Sequence, residues 1–405
     1  MSPGIVIDSL ILDLPEGHDG EFLALGDSGS IRVALSNLLG PATNVTISIE
    51  NYTDDSLSMR LGSTSMNVGD LPKTTSSRVL EPIPITIVAP GRPLLRLRFR
   101  IAADGYDDVL YEVLPIQRTW VESSGDRIGL AVTNRGRIGI DRTERGAIGP
   151  GVRFDDIDQL FEGGLIVSTS PQIVLDNLRN ENSVFPNDDF VPLDPDVFGR
   201  DVDVAFTDDG DRIDRVGLRF GMRGEITDDP RVGVVTLIAE NFSEAPIDSL
   251  RVGLFNDWDL GGQTGGGSVS LLDLDSLNAR FMPVVSRIDG AGGTVLIAAI
   301  ERPSGDSSTP IHFAIDNPNA PVAINDGFSD AEKFRVVASG LGNESAGPGD
   351  ISLVSGLVFS DLPHLGSDSL RLVLSFSTVD VADAVAGLVS YFRDRYGFGN
   401  VPDEA

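Results

Sequence analysis

The stretch Leu95-Arg96-Leu97-Arg98-Phe99-Arg100-Ile101 alternates apolar and basic residues without a break. Since successive side chains of a β-strand point to opposite faces of a sheet, this alternation predicts a strand with one face in a core and the other in water. The same alternation occurs upstream at Ser30–Asn37 and Asn44–Glu50, which are joined by a loop containing Gly and Pro. Residues 3–117 are therefore predicted to form a small Ig-like β-sandwich.

Short strand patterns continue through the rest of the chain, separated by turns rich in Gly and Asp. No helical pattern stands between them, which predicts one large antiparallel β-sandwich or jelly roll over residues 118–400. The predicted strands of this region are 128–133, 165–169, 173–175, 202–206, 216–220, 232–239, 249–255, 294–300, 311–315 and 370–376.

One amphipathic helix is predicted at about residues 380–396. Apolar residues there keep the spacing of three and four that places them on one helix face. Asp380 is positioned to cap the N-terminus and Gly397 to end the helix. The apolar positions are Val381, Ala384, Val385, Leu388, Val389 and Phe392. The fold class predicted for the chain is thus all-β with a single C-terminal helix.

The charge of the chain excludes several classes of partner. The sequence has 61 acidic and 31 basic residues, a net charge of −30, and a surface this negative repels nucleic acid. Lysine occurs only at Lys73 and Lys333, which indicates either a GC-rich genome or a high-salt habitat.

The absence of cysteine excludes disulfides and thiolate sites. Apolar stretches such as Gly293–Ile300 are too short to predict a membrane span.

The N-terminus does not have the pattern of a secretory signal. It lacks a basic n-region, and Asp8 and Asp13 interrupt its apolar run. Either the protein is cytoplasmic, or the chain is cut from a longer secreted precursor. Met1 directly before an extended segment slightly favours the second interpretation.

Motifs of catalysis are missing from the sequence. It contains no Gly-x-Ser-x-Gly, no His-Gly-Thr around any histidine and no phosphate-binding Gly-x-x-x-x-Gly-Lys. Only His18, His312 and His364 could supply imidazole, so a multi-histidine metal site is not expected. The sequence predicts a protein that is not an enzyme.

Two groups of acids nevertheless have the composition of oxygen-ligand sites. Asp257 and Asp259 flank Trp258 where a predicted strand ends. Three interpretations are open: solvated acids, ligands of Ca²⁺ or another hard cation, and the carboxylates of a hydrolase. The second group is Asp208, Asp211 and Asp214, in a stretch that lacks the Glu and the Gly position of an EF-hand. A β-turn needs the same residue types, so this stretch predicts either a turn or a cation site.

The first region resembles a known module. Gly26-Asp27-Ser28-Gly29, followed by Val33–Asn37 and Ala42–Val45, resembles the CARDB-like Ig modules of bacterial secreted proteins. In those modules Pro-Gly-Glu-Thr usually stands before the strand, where this chain has Leu-Gly-Asp-Ser.

The second region resembles the non-catalytic C-terminal part of secreted subtilisin-like peptidases and related surface proteins of Bacteroidetes-like bacteria. The resemblance implies an extracellular β-sandwich accessory region and carries over no catalytic residue. A sorting domain typical of such exported proteins is not visible at Val401–Ala405. The segments that carry the resemblance are Val132–Gly139, Leu160–Val167, Gly253–Asp259, Asp326–Phe328 and Gly349–Ser352.

Three hypotheses of function follow. The first is a non-catalytic extracellular or cell-surface accessory module, attached to the rest of a larger secreted precursor. The second is a structural subunit of a surface layer or filament, in which copies of the chain assemble through edge strands and the terminal helix. The third is a hydrolase that uses Asp257 and Asp259. In all three, Ca²⁺ is the only cofactor that the residues suggest.

Overall fold

A computed structural model of the chain is described for residues 2–15, 23, 26–51, 59–62, 64–88, 94–115, 120–138, 151–178, 187, 189–193, 202–210, 215–262, 266–272, 281–290, 292–303, 308–316 and 329–397. Most of these residues lie in antiparallel strands, and the two helices of the described part include one at the C-terminal end. The predicted all-β sandwich class with a C-terminal helix is confirmed. The chain divides into two compact units, residues 1–119 with 144–146 and residues 120–143 with 147–405.

The first unit is a sandwich of two antiparallel sheets. One sheet has the order β1-β2-β7-β4, with β6 also pairing with β2, and the other has the order β5-β3-β8-β9. The strands are β1 (Ile5–Asp13), β2 (Ser28–Asn37), β3 (Ala42–Asn51), β4 (Met59–Leu61), β5 (Ser65–Leu71), β6 (Thr74–Val79), β7 (Ile83–Ile87), β8 (Leu94–Ala103) and β9 (Tyr106–Pro115).

Strand β8 has the two faces that its sequence predicts. Leu97 and Phe99 are fully buried in the core of the first unit, as are Leu95 and Ile101. Arg100 points outward and pairs with Asp107 of β9 at 2.7 Å. Because the apolar residues repeat every second position, one register alone places all of them in the core, and that register is observed.

The second unit contains three antiparallel sheets in its described part. Their orders are β10-β11-β12-β13, β15-β14-β20-β26-β24 and β16-β17-β18-β19-β27-β23-β22-β21-β25. The strands are β10 (Trp120–Ser124), β11 (Ile128–Thr133), β12 (Val152–Phe154), β13 (Ile157–Asp158), β14 (Leu160–Ser170), β15 (Ile173–Asp176), β16 (Val191–Leu193), β17 (Val204–Thr207), β18 (Leu218–Ile226), β19 (Val232–Asn241), β20 (Ile247–Trp258), β21 (Gly267–Leu271), β22 (Val284–Asp289), β23 (Val295–Glu301), β24 (Thr309–Asp316), β25 (Ser345–Gly349), β26 (Ile351–Leu362) and β27 (Ser367–Ser377).

The main core of the second unit lies between its five-stranded and nine-stranded sheets. Leu254 of β20 and Leu353 of β26 belong to the same apolar cluster as Leu237 of β19 and Leu372 of β27. Since one face of each sheet is buried in this cluster, the two sheets form the layers of a sandwich.

The C-terminal helix α2 (Val381–Tyr396) has the ends that the sequence predicts. The side chain of Asp380 accepts a hydrogen bond from the backbone N–H of Asp383 at 2.9 Å, and Gly397 ends the helix with a φ of 64°. Ala384, Leu388 and Phe392 are buried against the nine-stranded sheet. The capping residues and the apolar face together explain why this segment is a helix.

A fully buried carboxylate anchors α2 to the sheet. Glu301 of β23 accepts hydrogen bonds from Arg371 of β27 and from Tyr391 of α2, both at 2.7 Å, and from the hydroxyl of Tyr396. Desolvation and the hydrogen bond to Glu301 raise the pKa of Tyr396 to about 12, and burial also raises the pKa of Tyr391. The helix is therefore attached through charge-assisted hydrogen bonds as well as through apolar contacts.

A second helix, α1 (Asp330–Ala338), is not among the sequence predictions. Ser329 and Glu332 form a capping box at its start, a signal that is present in the sequence as Ser-x-x-Glu. The helix packs on β14, β20 and β24, on the outer face of the five-stranded sheet. Neither helix of the described residues has the length and apolar composition needed to cross a membrane.

Candidate functional site

The Asp257-Trp258-Asp259 stretch lies in the interior of the second unit. Strand β20 continues through Trp258, whose side chain belongs to the main core, and Asp257 and Asp259 are each only 4% exposed. The interpretation of these residues as solvated acids at a strand end is therefore wrong. Strand β20 runs on through Trp258 in the middle of its sheet, paired with β14 on one side and β26 on the other, so these acids are not at an open strand end.

Asp257 shares a cross-strand row with polar residues of both neighbours. It lies opposite Glu162 of β14 and Ser352 of β26, on the sheet face away from the main core. Glu162 is paired with Arg137 at 3.1 Å, both side chains being buried, and Arg137 also donates to the backbone carbonyl of Asn177. The charge of Glu162 is thus balanced by a guanidinium.

Asp208 serves as an acceptor for backbone amides. It is buried and follows β17; its Oδ2 accepts hydrogen bonds from the N–H groups of Val216 at 2.6 Å and Gly217 at 2.9 Å, while its Oδ1 accepts from Leu218 at 2.8 Å. These bonds close the loop between β17 and β18. They favour the turn interpretation of Asp208, because both oxygens already have protein donors. Asp211 and Asp214 lie outside the described residues, so the cation site predicted there stays a prediction.

Replacing Asp208 with alanine is expected to lower the free energy of unfolding of the second unit by about 3 kcal/mol. Three N–H groups, one buried and two partly buried, lose a charged acceptor, and hydrogen bonds to a charged group are the stronger class. Tryptophan fluorescence in a urea titration measures the effect, because both tryptophans, Trp120 and Trp258, belong to this unit. Asp209→Ala is the control: its carboxylate pairs with Arg215 at the surface, and the change should be small.

Calcium distinguishes the two interpretations of this loop. A cation site at Asp208, Asp211 and Asp214 requires that Ca²⁺ raise the melting temperature of the wild type more than Mg²⁺ does at matched ionic strength. It also requires that Asp208→Ala abolish the difference. An equal response to both cations, or an unchanged calcium response in the variant, contradicts the site.

No metal site is assembled by three or more His, Asp or Glu side chains within the described ranges. Asp257 and Glu162 lie opposite each other on paired strands, and Asp259 follows two residues after Asp257. These three acids do not form a group that could hold a metal ion. The calcium prediction therefore gains no support from the part of the chain that the structure describes.

His312 is a buried histidine with two polar contacts. Its Nδ1 is 3.1 Å from Ser286 Oγ and its Nε2 is 3.3 Å from the backbone carbonyl of Glu344. Since a carbonyl only accepts, Nε2 carries the proton and Nδ1 accepts from the serine. Desolvation lowers the pKa of His312 below its ordinary value, so the ring is neutral at pH 7.

Stability is expected to fall as the pH drops below about 6.5, the ordinary histidine pKa. The unfolded chain binds more protons at His312 there than the folded chain does, because desolvation depresses the pKa of His312 in the folded state. The slope of the free energy of unfolding against pH reaches up to about 1.4 kcal/mol per pH unit. Urea titrations between about pH 7.5 and 5.5 measure it. His312→Gln should remove this slope and His364→Gln, at an exposed site, should retain it; equal slopes in both variants contradict the assignment.

A buried lysine pair is a feature that sequence reasoning missed. Lys333 of α1 places Nζ 2.8 Å from Oδ1 of Asp176 in β15, and the exposed fractions of the two side chains are 1% and 0%. The one signal in the sequence is that Lys333 precedes Val336 and Val337 by three and four positions, which puts it on the apolar face of α1. Because α1 was not predicted from the sequence, this spacing did not identify Lys333 as a buried residue.

The first unit has a cleft of about 1010 Å³ that is lined by residues of both of its sheets. The cleft is lined by both apolar and charged side chains. The charged residues form pairs across strands, among them Arg100 with Asp107 and Arg98 with Glu50. Because each arginine is matched by an acid, the cleft has no excess positive charge for an anionic ligand. The apolar part of the wall is Ile49, Met59, Leu61 and Val109.

These features define the class of the protein: a two-unit, all-β sandwich protein whose described buried carboxylates hold loops, strands and helices in place. No protein-family model matches the chain, and no curated protein is similar to it. The resemblance to the accessory regions of subtilisin-like peptidases therefore stays a prediction.

Proposed function

We propose that this chain is a non-catalytic, extracellular accessory module of a secreted or surface bacterial protein, carried with a peptidase in a larger precursor. The first unit is proposed to be Ig-like and the second to be the region associated with the peptidase. Its partner is the rest of that precursor. The proposal rests on the fold class and on the segments that resemble such regions.

One observation supports the proposal most directly: three buried carboxylates of the described residues are used for structure. Asp208 binds backbone amides, Glu162 pairs with Arg137, and Glu301 holds α2. Side chains committed in this way stabilise the fold. A module that carries or positions another domain needs such a rigid scaffold.

The intact mass of the native polypeptide tests the proposal. The sequence accounts for 43.1 kDa. We expect the natural protein to be much heavier, with a serine-peptidase triad in the additional part. A native mass near 43.1 kDa, or additional sequence without a peptidase, contradicts the attachment to a peptidase.

A second candidate function is that of a structural subunit assembling through edge strands. Strand β9 ends the sheet order of the first unit's second sheet and has one described strand partner, β8. Val109 on β9 is 41% exposed. A ten-residue edge with an exposed apolar side chain is suited to pairing with another strand.

Electron microscopy of the isolated chain tests this second function. Assembly through β9 predicts filaments or sheets that disappear in Val109→Lys, because a charged side chain on an edge opposes pairing. Val79→Lys, another exposed valine of the first unit, is the matched control and should still assemble. A monomer at all concentrations contradicts the structural function.

The melting temperature is expected to rise with salt. The net charge of −30 destabilises the compact state through self-repulsion, and salt screens that repulsion. Differential scanning calorimetry from low salt to about 1 M salt measures the effect. A flat melting temperature contradicts the high-salt interpretation of the composition.

A further inference from the structure

The Lys333–Asp176 pair is buried beside an apolar cluster. Val174 and Leu178 flank Asp176 along the chain, and Val336 and Val337 share the inner face of α1 with Lys333. Two opposite charges in such a buried place lose most of their hydration, so each depends on the other and on nearby donors. A desolvated, neutral lysine is a nucleophile.

The carboxyl group is held in one orientation. Its Oδ1 accepts the N–H of Leu178 at 2.8 Å, and the side-chain amide of Asn187 lies 3.3 to 3.4 Å from its two oxygens. The backbone of Asp176 is fixed by Asp189, whose Oδ2 accepts the N–H of residue 176 at 3.0 Å. Donors aimed at a carbonyl oxygen stabilise the negative charge that develops there during nucleophilic attack.

The amine is close to the carboxyl carbon. Lys333 Nζ lies 2.8 Å from Oδ1, and a C–O bond of about 1.2 Å brings Nζ within about 4 Å of Cγ. Because α1 and β15 are both regular elements, they hold the two groups near this separation. A small rotation of the lysine side chain would bring Nζ to the distance of attack on Cγ, about 3 to 3.5 Å.

We propose that Lys333 and Asp176 form a covalent amide cross-link within the second unit. A proton first passes from the ammonium of Lys333 to the carboxylate of Asp176, leaving an amine and an acid. Nζ attacks Cγ, and the tetrahedral intermediate expels one carboxyl oxygen with two protons as water. The new Nζ–Cγ bond replaces one C–O bond and one N–H bond, and no oxidant, reductant or further reactant takes part.

The cross-link would join two segments that are far apart in the sequence. It connects α1 to β15 across 157 positions, and the unfolded chain would keep a closed loop of that length. Such a loop reduces the freedom of the unfolded chain, in the way that a disulfide does. The chain has no cysteine, so this bond would serve where a disulfide cannot form. The inference does not depend on the proposed function.

Mass spectrometry of the denatured, full-length chain tests the proposal. We expect a mass about 18 Da below that of the linear sequence, the loss of one water. Trypsin cleaves after lysine and arginine, and a cross-linked Lys333 is not cleaved. The digest should therefore contain a branched peptide that joins the segments around Asp176 and Lys333.

Two conservative variants give the controls. Lys333→Arg keeps a positive charge but cannot form this amide, and its mass should equal that of its linear sequence. Lys73→Arg changes the other lysine and should retain the loss of about 18 Da. A succinimide elsewhere in the chain loses the same mass, so a loss that persists in Lys333→Arg overturns the proposal. A linear mass for the folded wild type, or a digest without the branched peptide, also overturns it.

Discussion

Replacing Gly356 with alanine is expected to lower the free energy of unfolding of the second unit by about 3 kcal/mol or more. Gly356 lies in the middle of β26, between β20 and β24. An added Cβ would lie 2.0 Å from the carbonyl oxygen of Val252 and 2.9 Å from Cα of Gly253. Because β26 is paired on both sides, it cannot move away without losing ladder hydrogen bonds, and overpacking of this kind is costly.

The urea midpoint, followed by tryptophan fluorescence, measures this effect. Gly233→Ala is the matched control, since Gly233 also lies in a central strand, β19, but an added Cβ there would be 3.4 Å from its nearest neighbour, Cγ2 of Ile128. We expect the Gly233 variant to be close to the wild type. Similar midpoints for the two variants contradict the close approach of β20 and β26.

Replacing Glu301 with alanine is expected to lower the free energy of unfolding of the second unit by about 3–5 kcal/mol, because it leaves the partly buried Arg371 guanidinium and the buried Tyr391 hydroxyl without the carboxylate that accepts from both. Amide hydrogen exchange in the C-terminal half of α2 should rise at the same time, since Glu301 accepts hydrogen bonds from Tyr391 and Tyr396 there. Glu301→Gln keeps the size of the side chain and one acceptor oxygen but lacks the charge, so a smaller loss of stability is expected.

The control for this prediction is an exposed glutamate of the same sheet. Glu225→Ala, on β18, should change the urea midpoint little. Protection of α2 in Glu301→Ala equal to that of the wild type contradicts the anchoring role, even if the global stability falls.

Much of the fold could be predicted from local patterns. The strand at Leu95–Ile101 and the helix at 380–396 each have a period that matches one secondary structure, and each has polar residues on the opposite face. The helix also carries its own start and end signals in Asp380 and Gly397. Such segments depend little on distant residues, which is why the prediction and the structure agree.

Other elements could not be predicted in the same way. Strand β26 reads Ile-Ser-Leu-Val-Ser-Gly-Leu-Val-Phe-Ser-Asp-Leu and is buried on both faces over most of its length, so it lacks an alternating pattern. Helix α1 spans nine residues and its apolar face is narrow. Both are stabilised mainly by the elements that cover them.

For the candidate sites too, the sequence predicted the local features and not the contacts with distant residues. The sequence identified Asp208, Asp257 and Asp259 as unusual acids, because residue type and spacing are local properties. It could not tell that Asp208 accepts three backbone amides or that Asp257 is buried, since the donors and the covering strands come from other parts of the chain.

The sequence by itself determined the all-β class, the core face of β8, the C-terminal helix and the acidic surface, all of which follow from composition and from the period of neighbouring residues. Only the tertiary structure decided that Lys333 meets Asp176 and that Glu301 meets Arg371 and Tyr391. The partners of the first pair are 157 positions apart. Contacts of that range are set by sheet order and helix packing, which no local pattern encodes.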